Sequence, residues 1–220
     1  MRESFEKHIK KLNEDVVAMS EMVATATSRS VKALEDRDVK EAERIINDDL
    51  LINEKRWQIE EECINLIALQ QPVASDLREI IAVLNIITEL ERMGDYAEGI
   101  ARIVIMLGGE PLIKSLVFTP KMAEKAIDML RRSIQAFVRR DAKTADAICD
   151  EDDEVDKLYD QAYHDLLMRM IKDPGVISKA TPLIWAAHNL ERIADRVTNI
   201  CERTVFLATG TMPQVNVSRY

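Results

Sequence analysis

Six glycines and six prolines in 220 residues leave long stretches of chain without a breaker. Three cysteines, Cys63, Cys149 and Cys201, are odd in number and far apart, and no CxxC occurs. That argues against a disulfide framework or a cysteine-based zinc site and fits a reducing cytoplasm. No long apolar run exists. The longest stretch free of charge, Thr204 to Ser218, contains Gly210 and Pro213, so nothing in the sequence spans a membrane. The first residues, Met1-Arg2-Glu3-Ser4-Phe5, lack the apolar core of a secretory signal, and none is expected. Positive charge is in deficit: 30 Lys and Arg face 39 Asp and Glu, a formal net charge of −9. Such a chain is a poor general binder of nucleic acid or anionic lipid. What remains is a globular composition, 47% hydrophobic, with enough apolar mass for a core.

That apolar mass is spaced as helix. Phe5, Ile9, Leu12, Val16, Met19, Val23, Ala26, Ser30 and Ala33 step by fours and threes, the seam of one long amphipathic helix. Asp38 is a good N-cap for a second helix running to about Leu69. A third runs from about Ser75 to Leu107 and stops at Gly108-Gly109. The apolar positions are rich in Ala, Ile, Leu, Val and Met and only 5% of the chain is aromatic, which suits close helix packing. The ten methionines read as core filler.

The second half repeats the first. At an offset of 103, Ser30/Ser133, Ala33/Ala136, Arg37/Arg140, Asp38/Asp141, Lys40/Lys143, Ala42/Ala145, Ile45/Ile148 and Asp49/Asp152 are identical. Further on the offset becomes 100, and Leu90-Glu91-Arg92-Met93-Gly94-Asp95 matches Leu190-Glu191-Arg192-Ile193-Ala194-Asp195. The missing residues fall at a turn, Gln70-Gln71-Pro72-Val73 against Asp173-Pro174-Gly175. The expectation is an all-α, elongated tandem of two three-helix bundles, with six long antiparallel helices. The first repeat would cover residues 1–110 and the second 116–210, with a flexible tail at 211–220.

Acidic residues sit at the edges of the buried stripes. On the third helix Glu91, Asp95 and Glu98 border the stripe Ile87-Leu90-Gly94-Ala97. On the sixth, Glu191 and Asp195 border Ala187-Leu190-Ala194-Val197, with His188 and Asn199 nearby. An i,i+4 pair shares one helix face. The second helix carries such a pair in Asp49 and Asn53, and the fifth in Asp152 and Asp156. In an antiparallel hairpin, residues equidistant from the turn lie level. Asp49 with Asp95, and Asn53 with Glu91, are both centred on Pro72; Asp152 with Asp195, and Asp156 with Glu191, are both centred between Asp173 and Pro174. Each unit therefore brings two pairs of oxygen-bearing side chains face to face. Left alone they repel. A bound cation or neighbouring arginine removes that cost, and Arg92 and Arg192 follow each glutamate. Carboxylate and amide oxygens suit Mg, Ca, Mn or Fe and tolerate Zn. His188 is matched by Thr88 and so lies outside the repeated feature. The rest of the acidic run Asp150–Glu154 reads as a solvated face. Arg131-Arg132 and Arg139-Arg140 read as a basic patch, solvated or a partner contact.

The same residues carry a resemblance. Gln70-Gln71-Pro72-Val73-Ala74-Ser75-Asp76-Leu77-Arg78 followed by Leu90-Glu91-Arg92-Met93-Gly94-Asp95-Tyr96-Ala97 resembles the first signature of the PhoU family, and Glu191-Arg192-Ile193-Ala194-Asp195-Arg196-Val197-Thr198-Asn199-Ile200 resembles its second. The similarity runs from about Phe5 to Thr209. It implies a cytoplasmic, usually dimeric repressor of the phosphate-starvation response and of phosphate uptake. The implied partners are the ATPase of the phosphate ABC transporter and a membrane sensor histidine kinase, with no membrane insertion of its own. The resemblance also implies iron or zinc on E(D)xxxD motifs in some members and no metal in others. The motif falls here on Glu91/Asp95, Asp152/Asp156 and Glu191/Asp195. It departs at Asp49/Asn53, where the amide removes a charge and predicts weaker binding.

Two rival readings stand beside this one. A ferritin-like di-metal enzyme uses Glu-x-x-His on core helices, but the residues three before the histidines are Phe5, Gln161 and Trp185. A metal-free helical scaffold for protein contact is the other. No Gly-rich phosphate loop and no GxSxG occurs, so no enzymatic activity and no direct phosphate site is expected.

Overall fold

The computed structural model describes residues 2–109, 111 and 116–211. Among the described residues seven α-helices follow one another: α1 (Arg2–Asp36), α2 (Val39–Gln70), α3 (Ser75–Leu107), α4 (Thr119–Arg139), α5 (Ala142–Cys149), α6 (Asp152–Lys172) and α7 (Ile177–Thr209), with one 3-10 turn at Pro174–Val176. The flexible tail expected at 211–220 lies, beyond Thr211, outside the described residues.

The link from the first helix to the second is built the same way in both halves. Arg37 and Arg140 take left-handed backbone, φ 60° and 53°. The next amide reaches back into the last turn of the preceding helix, Asp38 N to Ala33 O and Asp141 N to Ala136 O, both at 2.9 Å. This closes that helix. Asp38 and Asp141 then cap the following helix through Glu41 N and Thr144 N. Ala33, Arg37 and Asp38 recur as Ala136, Arg140 and Asp141 at the matching positions of this turn.

The fifth helical segment departs from expectation. It runs as α5 and α6, separated at Asp150-Glu151, where Glu151 N bonds Ile148 O and Glu154 N bonds Glu151 O in tighter, three-residue steps. The Glu151 carboxylate is held from α4 by Arg132 and Lys125, at 2.6 Å each. That tertiary grip falls where the helical ladder tightens.

α1, α3, α7 and α4 pack in that cyclic order as a four-helix ring. α2 lies on α1 and α3, while α5 and α6 lie on α4 and α7. Helices of 32 to 35 residues, such as α1, α2 and α3, are about 50 Å long at 1.5 Å per residue. α3 buries a wider band than its own unit requires: Ala82, Ile86, Met93 and Ile100 join the stripe already expected, because α3 also packs on α7. α2 buries Ile45, Ile52, Ile59 and Leu66, one every seven residues. Among the described residues Phe137 is the largest fully buried side chain, and aliphatic residues with methionines such as Met19 and Met93 make up most of the rest.

Candidate carboxylate sites

Between α2 and α3, Asp49 stands opposite the α3 edge. Burial, then Asp95, Glu98 and Glu91 in turn, push its carboxyl up to about 6. Asn53 answers part of that charge, its Nδ2 donating to Asp49 Oδ2 at 2.9 Å. The approach is close because residue 94 is glycine. A Cβ there would lie 3.1 Å from Asp49 Oδ1 and 3.2 Å from the Ile52 side chain. Glu98 is engaged by Arg102 at 2.6 Å, so the first site already has a cation beside it.

Between α6 and α7 the crowding is greater. Burial pushes Asp152 up to about 7, with Asp156, Asp195 and Glu191 adding to it. Glu191 is pushed up to about 7, again by burial first, and Arg192 and Arg196 oppose the shift. Asp152 Oδ1 and Glu191 Oε2 are both shut away from solvent with no hydrogen-bond partner. His188 Nδ1 lies 3.3 Å from Glu191 Oε2, but burial holds that imidazole below its usual value, so it offers little positive charge. Asp195 is taken by Arg192 at 2.8 Å and by Arg196 at 3.4 Å.

The arginine following each glutamate therefore serves another acid: Arg92 pairs with Glu89 and Arg192 with Asp195. Much of the basic patch, read as solvated or a partner contact, and part of the acidic run are paired within the chain, while Arg139, Asp150 and Asp153 stand exposed. Arg131 binds Glu21, Arg132 binds Glu151 and Asp128, Arg140 binds Glu79, and Glu154 takes Lys125.

Asp152, Asp156, Glu191 and Asp195 suit an oxygen-preferring cation by donor chemistry, and the two orphaned oxygens come from facing helices. Asp49, Asn53, Glu91 and Asp95 offer one charge fewer. Yet among the described residues no group of three or more His, Cys, Asp or Glu side chains is arranged to hold a metal ion. Burial and neighbouring carboxylates push Asp49, Asp95, Asp152, Asp156 and Glu191 up, yet the acids do not converge on a point.

Sequence spacing missed what joins the halves. On α3, Glu89 accepts from Asn199 at 3.1 Å and from Arg196 at 3.3 Å on α7, and from Arg92 at 3.4 Å on its own helix. The available signal was a break in the repeat: Glu89 aligns with Asn189 and Gly99 with Asn199.

Fold and site together define an all-α tandem-repeat protein with acidic edges facing across its outer helix pairs. The family model described as "PhoU domain" matches twice, over residues 16–104 and 119–204. The chain belongs to that family. It is 37% identical over 216 residues to a phosphate-specific transport system accessory protein PhoU homolog of Clostridium acetobutylicum, covering 98% of this chain and 99% of the relative. A relative of the same description from Rhizobium meliloti is 34% identical, covering 96% of this chain and 90% of that one. The crystal structure of the phosphate transport system regulatory protein PhoU from Streptococcus pneumoniae superposes with a TM-score of 0.88 at 32% identity, over 96% of this chain and all of that one. PhoU from Pseudomonas aeruginosa gives 0.88 at 34% identity, over 94% and 100%. No described helix is long and apolar enough to cross a membrane.

Proposed function

We propose that this protein is a cytoplasmic negative regulator of phosphate uptake and of the phosphate-starvation response. In this reading it is a non-enzymatic adaptor, homodimeric, between the ATPase of a phosphate ABC transporter and a sensor histidine kinase. The observation that carries it is similarity over nearly the full length to accessory and regulatory proteins of phosphate transport. Long helices offer what an adaptor needs: the ring of α1, α3, α7 and α4 is a stiff frame, and α2 and α6 lie outside it as two presented faces. Residues 1–110 and 116–210 are the two repeats of that frame. The phosphate signal reaches the protein through its partners.

Within this reading, Asp152, Asp156, Glu191 and Asp195 are the better cation site and Asp49, Asn53, Glu91 and Asp95 the weaker. Iron or zinc is the expected ion. A divalent cation would supply charge neutralisation there and nothing further. The protein's own side chains supply two helices that would otherwise hold like charges together. The metal-free scaffold is kept as a second reading because no described group is arranged to hold a metal.

The test is genetic. Deleting the gene in its own host should raise phosphate uptake and phosphate-starvation gene expression in phosphate-replete medium, and the intact gene should restore repression. Unchanged expression in the deletion strain would sink the regulatory reading.

A further inference from the structure

α2 has two faces with the same period. Its buried row, Ile45, Ile52, Ile59 and Leu66, faces α1 and α3. Its outer side carries a second row, Leu50, Trp57 and Ile64, which are 64%, 59% and 57% exposed. Seven residues are almost two full turns, so this row runs nearly straight along the helix for about 21 Å. The helices that α2 packs on, α1 and α3, leave this row uncovered. An apolar row of this size left in water marks an interaction surface.

The internal repeat shows that helix packing does not require the row. At an offset of 103, Asp153, Asp160 and Leu167 stand on α6 where Leu50, Trp57 and Ile64 stand on α2. Both aspartates are exposed. One copy of this outer helix thus does without the apolar row and the other keeps it.

The flanks state the partner's charge. Glu43 continues the row at its N-terminal end and Glu54 and Glu61 stand beside it, all three exposed, while neighbouring Glu41, Glu60 and Glu62 are tied to Arg29, Arg56 and Lys11. A second copy of this chain is a poor occupant. Antiparallel pairing about Trp57 sets Glu54 over Glu60 and Glu61 of the other copy, and in parallel pairing Glu61 meets Arg56, which Glu60 already holds. Like charges across a seam are destabilising.

We propose that the outer face of α2, centred on Trp57, docks a basic amphipathic helix of a partner protein. Apolar residues of that helix repeat every seven positions against Leu50, Trp57 and Ile64, and its Lys or Arg meet Glu43, Glu54 and Glu61. The proposal rests on the adaptor reading for there being a partner and adds the chemistry of one docking element.

Trp57 is itself the reporter, since the chain has only two tryptophans. In the full-length Trp185→Phe protein, a synthetic 21-residue helix with a leucine heptad and lysine flanks should shift Trp57 emission to the blue and saturate at one peptide per chain. The same peptide with glutamate flanks should not. Leu50→Asp should weaken binding by about tenfold or more, with the helical circular dichroism unchanged, because the second repeat already carries aspartate there. Glu54→Lys with Glu61→Lys should transfer preference to the acidic peptide. Equal binding of both peptides, or undiminished binding by Leu50→Asp, overturns the proposal. So does a blue shift on concentrating the protein alone, which would give the face to a second copy. None of these results touches the deletion phenotype, so the two readings fail separately.

Discussion

Asn199 Nδ2 donates to Glu89 Oε2 at 3.1 Å across the α3–α7 seam, and the reciprocal position shows the same seam from the other repeat. There Gly99 faces Asn189, whose Nδ2 lies 2.7 Å from where a Cβ on residue 99 would stand. The matched positions are related by the offset of 100, so α3 and α7 cross antiparallel about Gly94 and Ala194. A glycine on one side and a carboxylate on the other divide the work: one admits close approach, the other ties the helices.

Glu89 should therefore matter more than a surface acid. It and Arg196 are 14% and 15% exposed, and Asn199 shares the carboxylate. Glu89→Ala leaves a mostly buried guanidinium short of a partner, and the expected loss is about 2 kcal/mol in urea unfolding. Glu89→Gln, which still accepts from Asn199, should lose less than half of that. Equal losses would mean that charge, and not the amide contact, holds the seam.

The two left-handed arginines should respond in opposite directions to glycine. Arg37 is exposed, so Arg37→Gly relieves only backbone strain and should stabilise by up to about 1 kcal/mol. Arg140 has the same backbone but its guanidinium pairs with Glu79, which is 4% exposed and otherwise takes only Asn13. Arg140→Gly should cost about 2 kcal/mol after allowing for the half-exposed arginine. Denaturant midpoints of the two variants decide it, and a shift of the same sign in both would refute the account.

Local chemistry made much of this fold legible. Asp38 and the Gly108 stop placed the start of α2 and the end of α3, and the stripe Ile87-Leu90-Gly94-Ala97 is buried as its spacing implied. Hairpin symmetry paired each outer helix's acids with those of its neighbour, and Asp49 and Asp152 each feel carboxylates of the facing helix. Partners between units were not legible, because a period names the buried face of a helix and not what covers it. The break at Asp150-Glu151 was hidden for a related reason: its grip, Arg132 and Lys125, comes from about twenty residues away on α4. So was the orphaning of Glu191 Oε2, which depends on where Arg192 turns.

Gly94 tests how tightly α2 and α3 must approach. A Cβ at 3.1 Å from Asp49 Oδ1 needs a shift of a few tenths of an ångström. Alanine gains about 1 kcal/mol of helix propensity over glycine, so Gly94→Ala should be close to neutral. Gly94→Val adds branches against Ile52 and should cost about 2 kcal/mol. A valine variant as stable as the parent would show that this helix pair is loosely packed.

Acid at the second site should make stability depend on pH. Asp152 is held near 7 in the folded protein against an ordinary value near 3.8. The folded state thus binds a proton that the unfolded state has released, and stability from this group is present at low pH and lost as pH rises from about 4 to 7. Allowing for partial solvent access, the loss is about 1–2 kcal/mol. Glu151, held near 2 by Arg132 and Lys125, works in the opposite sense, losing its contribution as pH falls from about 4.5 towards 2. In metal-free protein, Asp152→Asn should flatten the upper slope and be the more stable protein at pH 8. If the asparagine variant gave no advantage there, the carboxyl would not be under strain.

A cation and that proton compete for the same oxygens, which gives the metal reading a signature beyond simple content. Iron(II), zinc or manganese(II) added to metal-free protein should raise Tm by about 5 °C or more at pH 8 and by little at pH 5, where Asp152 and Glu191 hold protons. Glu191→Ala with Asp195→Ala should abolish the rise and lower the metal content of protein purified without chelator or metal-affinity tag. Asp49→Ala should remove only a smaller part, because Asn53 already answers that carboxylate. A Tm indifferent to all three ions at pH 8 would make both acid levels features of the scaffold. The strain at Asp152 would then be relieved by protons alone.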